Sequence, residues 1–400
     1  VRSRRAIRSR ARRAARPLDR AAAALPTPAA VVLTAIGCAA PTSLTGDATE
    51  PVAAATPTRS AGADALTDQA SLFASVYTPG VVSSERWTFG QHEGVVLRTA
   101  HYRIFTTESS SVLRDRVADF LERALAHYRT AAVDEQPLPP PRLALDTYLM
   151  DDRSQWASLT RRLLRDQADT ALAIGRGGYA TRGIGAYFDI GLYDTLAVAA
   201  HEGWHQYTQR AFRQPLPIYL EEGLATFMEG HRWTDGVVEL SPWANVERYD
   251  TLRDAFAKGR LLGVGELVGL SPQDLIAGEQ VSLLSYYAQC WALVHFLEHG
   301  DAGVHRSGLV RLLRDAAEGR LDRRLREFGV PASRARNAVM LRRGSTLLDA
   351  YVLRPGGLEM NEFERRYADF VRELVGVGVR DRIVQGLAPE FVARTTNASN

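Results

Sequence analysis

His201, Glu202 and His205 stand in the order H-E-x-x-H within His201-Glu202-Gly203-Trp204-His205. On a helix the two histidines lie one turn apart on one face, where two imidazoles can share a metal ion. Glu202, between them, is the residue type that takes a proton from a metal-activated water. Thiolates are not available for such a site. The chain has two cysteines, one of them (Cys38) in the leader and the other (Cys290) alone in an apolar helical run, so any metal must be held by histidine and carboxylate.

A third ligand is expected from the next segment. Pro215 and Pro217 end one helix and start another, Ile218-Tyr219-Leu220-Glu221-Glu222-Gly223-Leu224-Ala225 and onward to Gly230. Ile218, Glu222, Ala225 and Glu229 recur at helical spacing on a single face. Glu222 is therefore placed to complete the metal set from an antiparallel neighbour, and Glu229 to orient a histidine from behind. Glu221 falls on a different face with Leu224 and Met228 and is the fallback ligand.

These residues need elements to hold them. Asp194 is an N-cap candidate for a helix running to about residue 212, and Leu196 to Ala200 are apolar almost all round, which predicts burial. Gly203 inside it costs roughly 1 kcal/mol against alanine, so something is expected to pass close by. Upstream, strands are expected at 95–97, 102–105 and 143–149, with helices over 112–132 and 152–165. A glycine-rich hairpin follows at 175–191, in which Ile184, Ala186, Phe188 and Ile190 alternate with Gly185, Tyr187 and Asp189 as in a half-buried strand. Downstream the periodicity predicts helices near 250–258, 283–299, 306–319, 345–352 and 361–376. His295 and His299 are again four apart, but no third ligand is evident beside them. They read as an ordinary helix C-terminus, and His231 reads as a surface residue.

H-E-x-x-H followed by a W/Y-L-x-E-G-x-A segment resembles the gluzincin (peptidase MA-like) zinc metallopeptidases, above all their bacterial peptidase-MA-like group. The similarity extends over roughly residues 90–375. It implies one zinc ion held by His201, His205 and Glu222, with Glu202 as general base and Glu229 behind the ligands. It also implies a tyrosine from a later helix, Tyr286 or Tyr287, as a stabiliser of the oxyanion. The departures are a short spacing of 16 residues between His205 and Glu222, Tyr219 where tryptophan is common, and no G-x-M-E-N-like exopeptidase segment. The metzincin pattern fails, since Thr208 and Ala211 stand where it needs glycine and histidine.

Charge is distributed unevenly. Residues 1–20 hold nine arginines and one aspartate, leaving 40 basic and 45 acidic residues in the remainder, so the formal +3 of the whole chain becomes −5 for the body. A nucleic-acid partner is not supported. The arginine-rich start, an uncharged run and Ala35-Ile36-Gly37-Cys38 have the order of a secretory leader with a lipobox-like end. The expected organisation is a leader (1–38), a disordered tether (39–84), an α+β metallopeptidase domain (85–386) and a flexible tail (387–400). The domain is expected to place a metal cleft between a small sheet-containing N-terminal lobe and a helical C-terminal lobe. The expected function is a zinc-dependent hydrolase of peptides or proteins, exported and lipid-anchored through Cys38. The alternatives are a metal-stapled scaffold without turnover and a metal hydrolase acting on something other than peptides.

Overall fold

Short runs with a period of two build the sheet that carries the site. The computed structural model describes residues 62–174, 176–234, 236–276 and 282–393; the leader with Cys38 lies outside the described residues. Strands β1 (Ser83–Phe89), β2 (His92–Arg98), β3 (Tyr102–Thr106), β4 (Leu145–Met150), β5 (Gly178–Thr181) and β6 (Ile184–Phe188) form one sheet in the order β1-β2-β3-β4-β6-β5. The pairs β3–β4 and β4–β6 are parallel and the others antiparallel. Ile104, Leu149 and Tyr187 face one apolar cluster, while Phe105, Tyr148 and Phe188 face another, as alternation across a pleat requires. Because both faces are covered, β6 is a buried central strand and not the half-buried one its alternation suggested. The β5–β6 turn is Arg182-Gly183, both at positive φ, the geometry of a tight hairpin.

The principal helices are α1 (Gly62–Val76), α2 (Ser111–Thr130), α3 (Arg153–Leu164), α4 (Leu192–Ala211), α5 (Ile218–Glu229), α6 (Val246–Ala257), α7 (Leu283–His299), α8 (Arg306–Glu318) and α9 (Met360–Leu374). Trp156 of α3 seals the outer face, its indole donating to the Ala186 carbonyl at 3.1 Å. On the inner face α2, α4, α5 and α7 share one continuous apolar core with the helices that follow. The architecture is α+β: a small sheet followed by a larger helical region.

Several boundaries differ from the sequence expectation. Residues 62–84, assigned to the tether, include α1 and the start of β1; the Gln69 side chain donates to the Thr130 carbonyl, tying α1 to α2. Within 387–400, assigned to a tail, Val392 is buried and Phe391 packs edge-on against Phe370 at 5.4 Å. Asp194 is not the N-cap of α4, which is Gly191; it sits in the first turn and pairs with Arg176 at 2.7 Å. A second hairpin, β7 (His231–Thr234) with β8 (Val237–Leu240), follows α5. It buries His231 between Phe120 and Tyr193, so that residue is not on the surface.

Candidate metal centre

Two close helix contacts set the geometry. At Gly203 a Cβ would lie 2.5 Å from the Tyr128 hydroxyl, which instead donates to the Ala200 carbonyl at 2.7 Å. At Gly223 a Cβ would lie 2.7 Å from the Cys290 carbonyl oxygen, so only glycine lets α5 come this close to α7. Cys290 itself is a buried core thiol. Held this way, α4 and α5 bring their polar faces together inside an apolar shell.

His201, His205 and Glu222 converge. The two Nε2 atoms are 3.2 Å apart, and Glu222 Oε2 lies 3.7 Å from His201 Nε2 and 3.5 Å from His205 Nε2. Among the described residues this is the one group of three or more such side chains close enough to share an ion. Four ligands at zinc–nitrogen and zinc–oxygen distances around a tetrahedron would be about 3.3 Å apart. The measured separations bracket that edge length.

The donor chemistry agrees with the distances. His201 Nδ1 faces Glu229 Oε1 at 2.7 Å and His205 Nδ1 faces Glu221 Oε1 at 3.1 Å. Ionised carboxylates only accept, so both Nδ1 atoms donate and both Nε2 lone pairs point inward. Two lone pairs and a carboxylate facing one another across buried space need a cation between them, a proton or a metal ion. Both oxygens of Glu222 lack a hydrogen-bond partner, which is costly in the interior.

Charges follow from this enclosure. Burial would lower the pKa of His205, yet Glu222 and Glu221 carry it up to about 10. His201 is likewise raised, Glu222 and Glu229 outweighing burial. Burial would raise Glu222, but the imidazoles hold it down at about 2. Glu229 is also held at about 2 against its burial, by Arg248 and His201. Glu202 moves the other way: burial lifts it to about 7, only partly offset by the histidines. Both its oxygens are buried without a partner. It is a carboxylate poised to hold or release a proton near neutrality.

The tyrosines divide. The ring of Tyr287 meets His201 edge-on at 6.1 Å, whereas the Tyr286 hydroxyl donates to the Leu270 carbonyl at 3.2 Å and belongs to the core. Glu221, the fallback ligand, lies behind His205 and also accepts from Thr208 Oγ1 at 2.6 Å. Sequence reasoning missed two participants. Arg248 forks Glu229 through Nε (3.1 Å) and Nη2 (2.9 Å), and Asn245 Nδ2 donates to the same carboxylate at 2.9 Å. Nothing marks Arg248 among the chain's 48 arginines, although Asn245 is recognisable as the N-cap of α6.

The expected cleft is not open. His201, Glu202 and Glu222 are wholly inaccessible to solvent, and His205 is only 3% exposed. Compared with protein-family models, curated proteins and solved structures, the chain matches none.

Proposed function

We propose that this protein is a zinc-dependent hydrolase of gluzincin type that cuts peptides or proteins. The observation that carries the reading is the trio of 3.2, 3.5 and 3.7 Å separations, with a partnerless Glu202 beside it. His201, His205 and Glu222 would hold the ion, leaving the fourth position of a catalytic zinc to water or substrate. Bound there, zinc supplies Lewis acidity, which makes water acidic near neutral pH and polarises a carbonyl. Glu202 accepts the proton from water and passes it to the leaving amine. Tyr287, kept protonated by burial, is the candidate donor to the oxyanion. A peptide substrate is the class that the resemblance of the two motifs implies; β5, last in the sheet order, is itself buried along its length. Export and a lipid anchor at Cys38 belong to the same proposal and rest on the order of residues in the leader.

A second reading draws on one observation, the complete burial of the centre. A metal-stapled binding protein without turnover needs no access for substrate. Glu202 weighs against it, because a structural site gains nothing from an unpaired buried carboxylate. The deciding experiment is the metal content of the purified chain together with digestion of an unbiased peptide library by wild type and Glu202→Gln. Zinc at one per chain, with cleavage lost only in the variant, is the expected result. Equal cleavage by both proteins would remove Glu202 from the mechanism. Zinc with no cleavage by either would favour the scaffold.

A further inference from the structure

We infer that Arg248 is a positioning residue for the metal centre, acting through Glu229 on His201; the inference rests on the metal reading above. Arg248 lies on α6, outside both segments that supply the ligands, and is 1% exposed. Its guanidinium meets Glu229 side-on, Nη2 to Oε1 at 2.9 Å and Nε to Oε2 at 3.1 Å. Asn245 Nδ2 takes Oε2 at 2.9 Å and His201 Nδ1 takes Oε1 at 2.7 Å. The carboxylate thus receives four hydrogen bonds, three of them from the N-terminal turn of α6.

A fork of this kind fixes the plane of a carboxylate as well as its charge, which a point charge does not do. With its plane fixed, Oε1 lies where His201 Nδ1–H must point, and that bond sets the tautomer and the ring angle that turn Nε2 to the metal. Outer partners of metal-bound histidines work in this way. The matching arm on His205 has no such fork: Glu221 Oε1 is 3.1 Å from Nδ1 and accepts from Thr208 Oγ1 at 2.6 Å, while Arg342 stands 4.0 Å from the carboxylate. One imidazole is therefore aimed through an arginine fork, and the other through a carboxylate held by a threonine hydroxyl.

The test uses the full chain and measures zinc affinity by competition with a chromophoric chelator, alongside the visible spectrum of the cobalt-loaded protein and the melting temperature of the metal-free protein. Arg248→Met should lower zinc affinity 10- to 100-fold, the range for outer partners, and alter the cobalt bands. Arg248→Lys, which keeps the charge and loses the fork, should fall between Arg248→Met and wild type, and it carries the test if Arg248→Met does not fold. Arg380→Met is the control, since it breaks the bidentate Arg380–Asp250 pair on the exposed side of the same helix. It should leave affinity within twofold of wild type. An Arg248 variant that melts earlier without the metal but binds zinc as wild type does would overturn the proposal and make the pair a core ion pair only. A wild type that takes up no zinc or cobalt would overturn the metal reading, and the proposal with it.

Discussion

Two helices in this protein carry histidines four residues apart with a glutamate in between, and they have opposite fates. In α4 the pair is His201/His205; in α7 it is His295/His299, within His-Phe-Leu-Glu-His. The α4 rings meet at 71° and turn both Nε2 atoms toward Glu222, with Glu229 and Glu221 behind them. The α7 rings are nearly parallel at 27° and stack on Trp243, at 3.6 Å for His295 and 5.4 Å for His299. Glu298, the acid of that pair, turns away to Arg306 at 2.6 Å. Identical spacing thus makes a ligand pair in one place and an aromatic stack in the other. What separates them is the neighbouring helix: α5 presents three carboxylates to α4, whereas α7 meets an indole.

The largest effect expected from breaking this contrast is catalytic. Glu202→Gln should keep its zinc and lose about 10²- to 10⁴-fold in kcat on peptides, read by single-substrate kinetics on metal-loaded protein. Next comes the metal itself. Glu222→Ala should lose more than the roughly 100-fold in affinity that outer partners cost, while His299→Ala should retain one zinc per chain in elemental analysis. Loss of zinc from the α7 variant would mean that the two pairs are not distinct.

His295→Ala sharpens the comparison from the other side. Removing a buried ring stacked on Trp243 should destabilise the fold by about 2–4 kcal/mol in urea unfolding, with zinc content unchanged. Saturating zinc should raise the melting temperature of that variant as much as it raises that of wild type, and should have no effect on Glu222→Ala.

The smallest effect is protonic, and its sign differs between the pairs. Burial first, and then His299, hold His295 well below the usual histidine range. The stability linked to its neutral form is present above the unfolded value of about 6.5 and is lost as the pH falls below it. His205 in metal-free protein is raised to about 10, so its contribution is complete below pH ~6.5 and is lost as the pH rises through 10. Zinc uptake near pH 7.5 should therefore release protons, detectable as a dependence of the calorimetric heat on buffer ionisation enthalpy. Heats that do not vary between buffers would contradict this.

Much of the scaffold was legible because apolar periodicity is strong where elements are buried. The strands at 102–106 and 145–150 and the helices at 283–299 and 306–318 lie close to where spacing places them. The convergence of His201, His205 and Glu222 was also legible, since it needs only helical geometry and a short proline-bounded turn. Strand β1 was harder to see: Ser-Ser-Glu-Arg-Trp-Thr-Phe lies at the sheet edge with most side chains exposed, so it shows little alternation. Helix α1 follows directly on an alanine-, threonine- and proline-rich run, so composition does not set it apart. The burial of His231 and the role of Arg248 depend on contacts between segments that spacing along one helix cannot reveal. Closure of the centre is a property of the assembled fold, with no counterpart in any motif.

The contact of Tyr128 with Gly203 also has a mechanical side. Gly203 is two residues from each metal-facing histidine and so lies on the opposite side of α4. The phenol oxygen seated there stops the helix from turning about its own axis. An imidazole tip stands ~6 Å from that axis, so a turn of only ~10° would carry it ~1 Å. The separations among the three inward atoms span only 3.2 to 3.7 Å. A hydroxyl on a neighbouring helix, touching neither histidine, thus acts as the locating key that holds the aim of both.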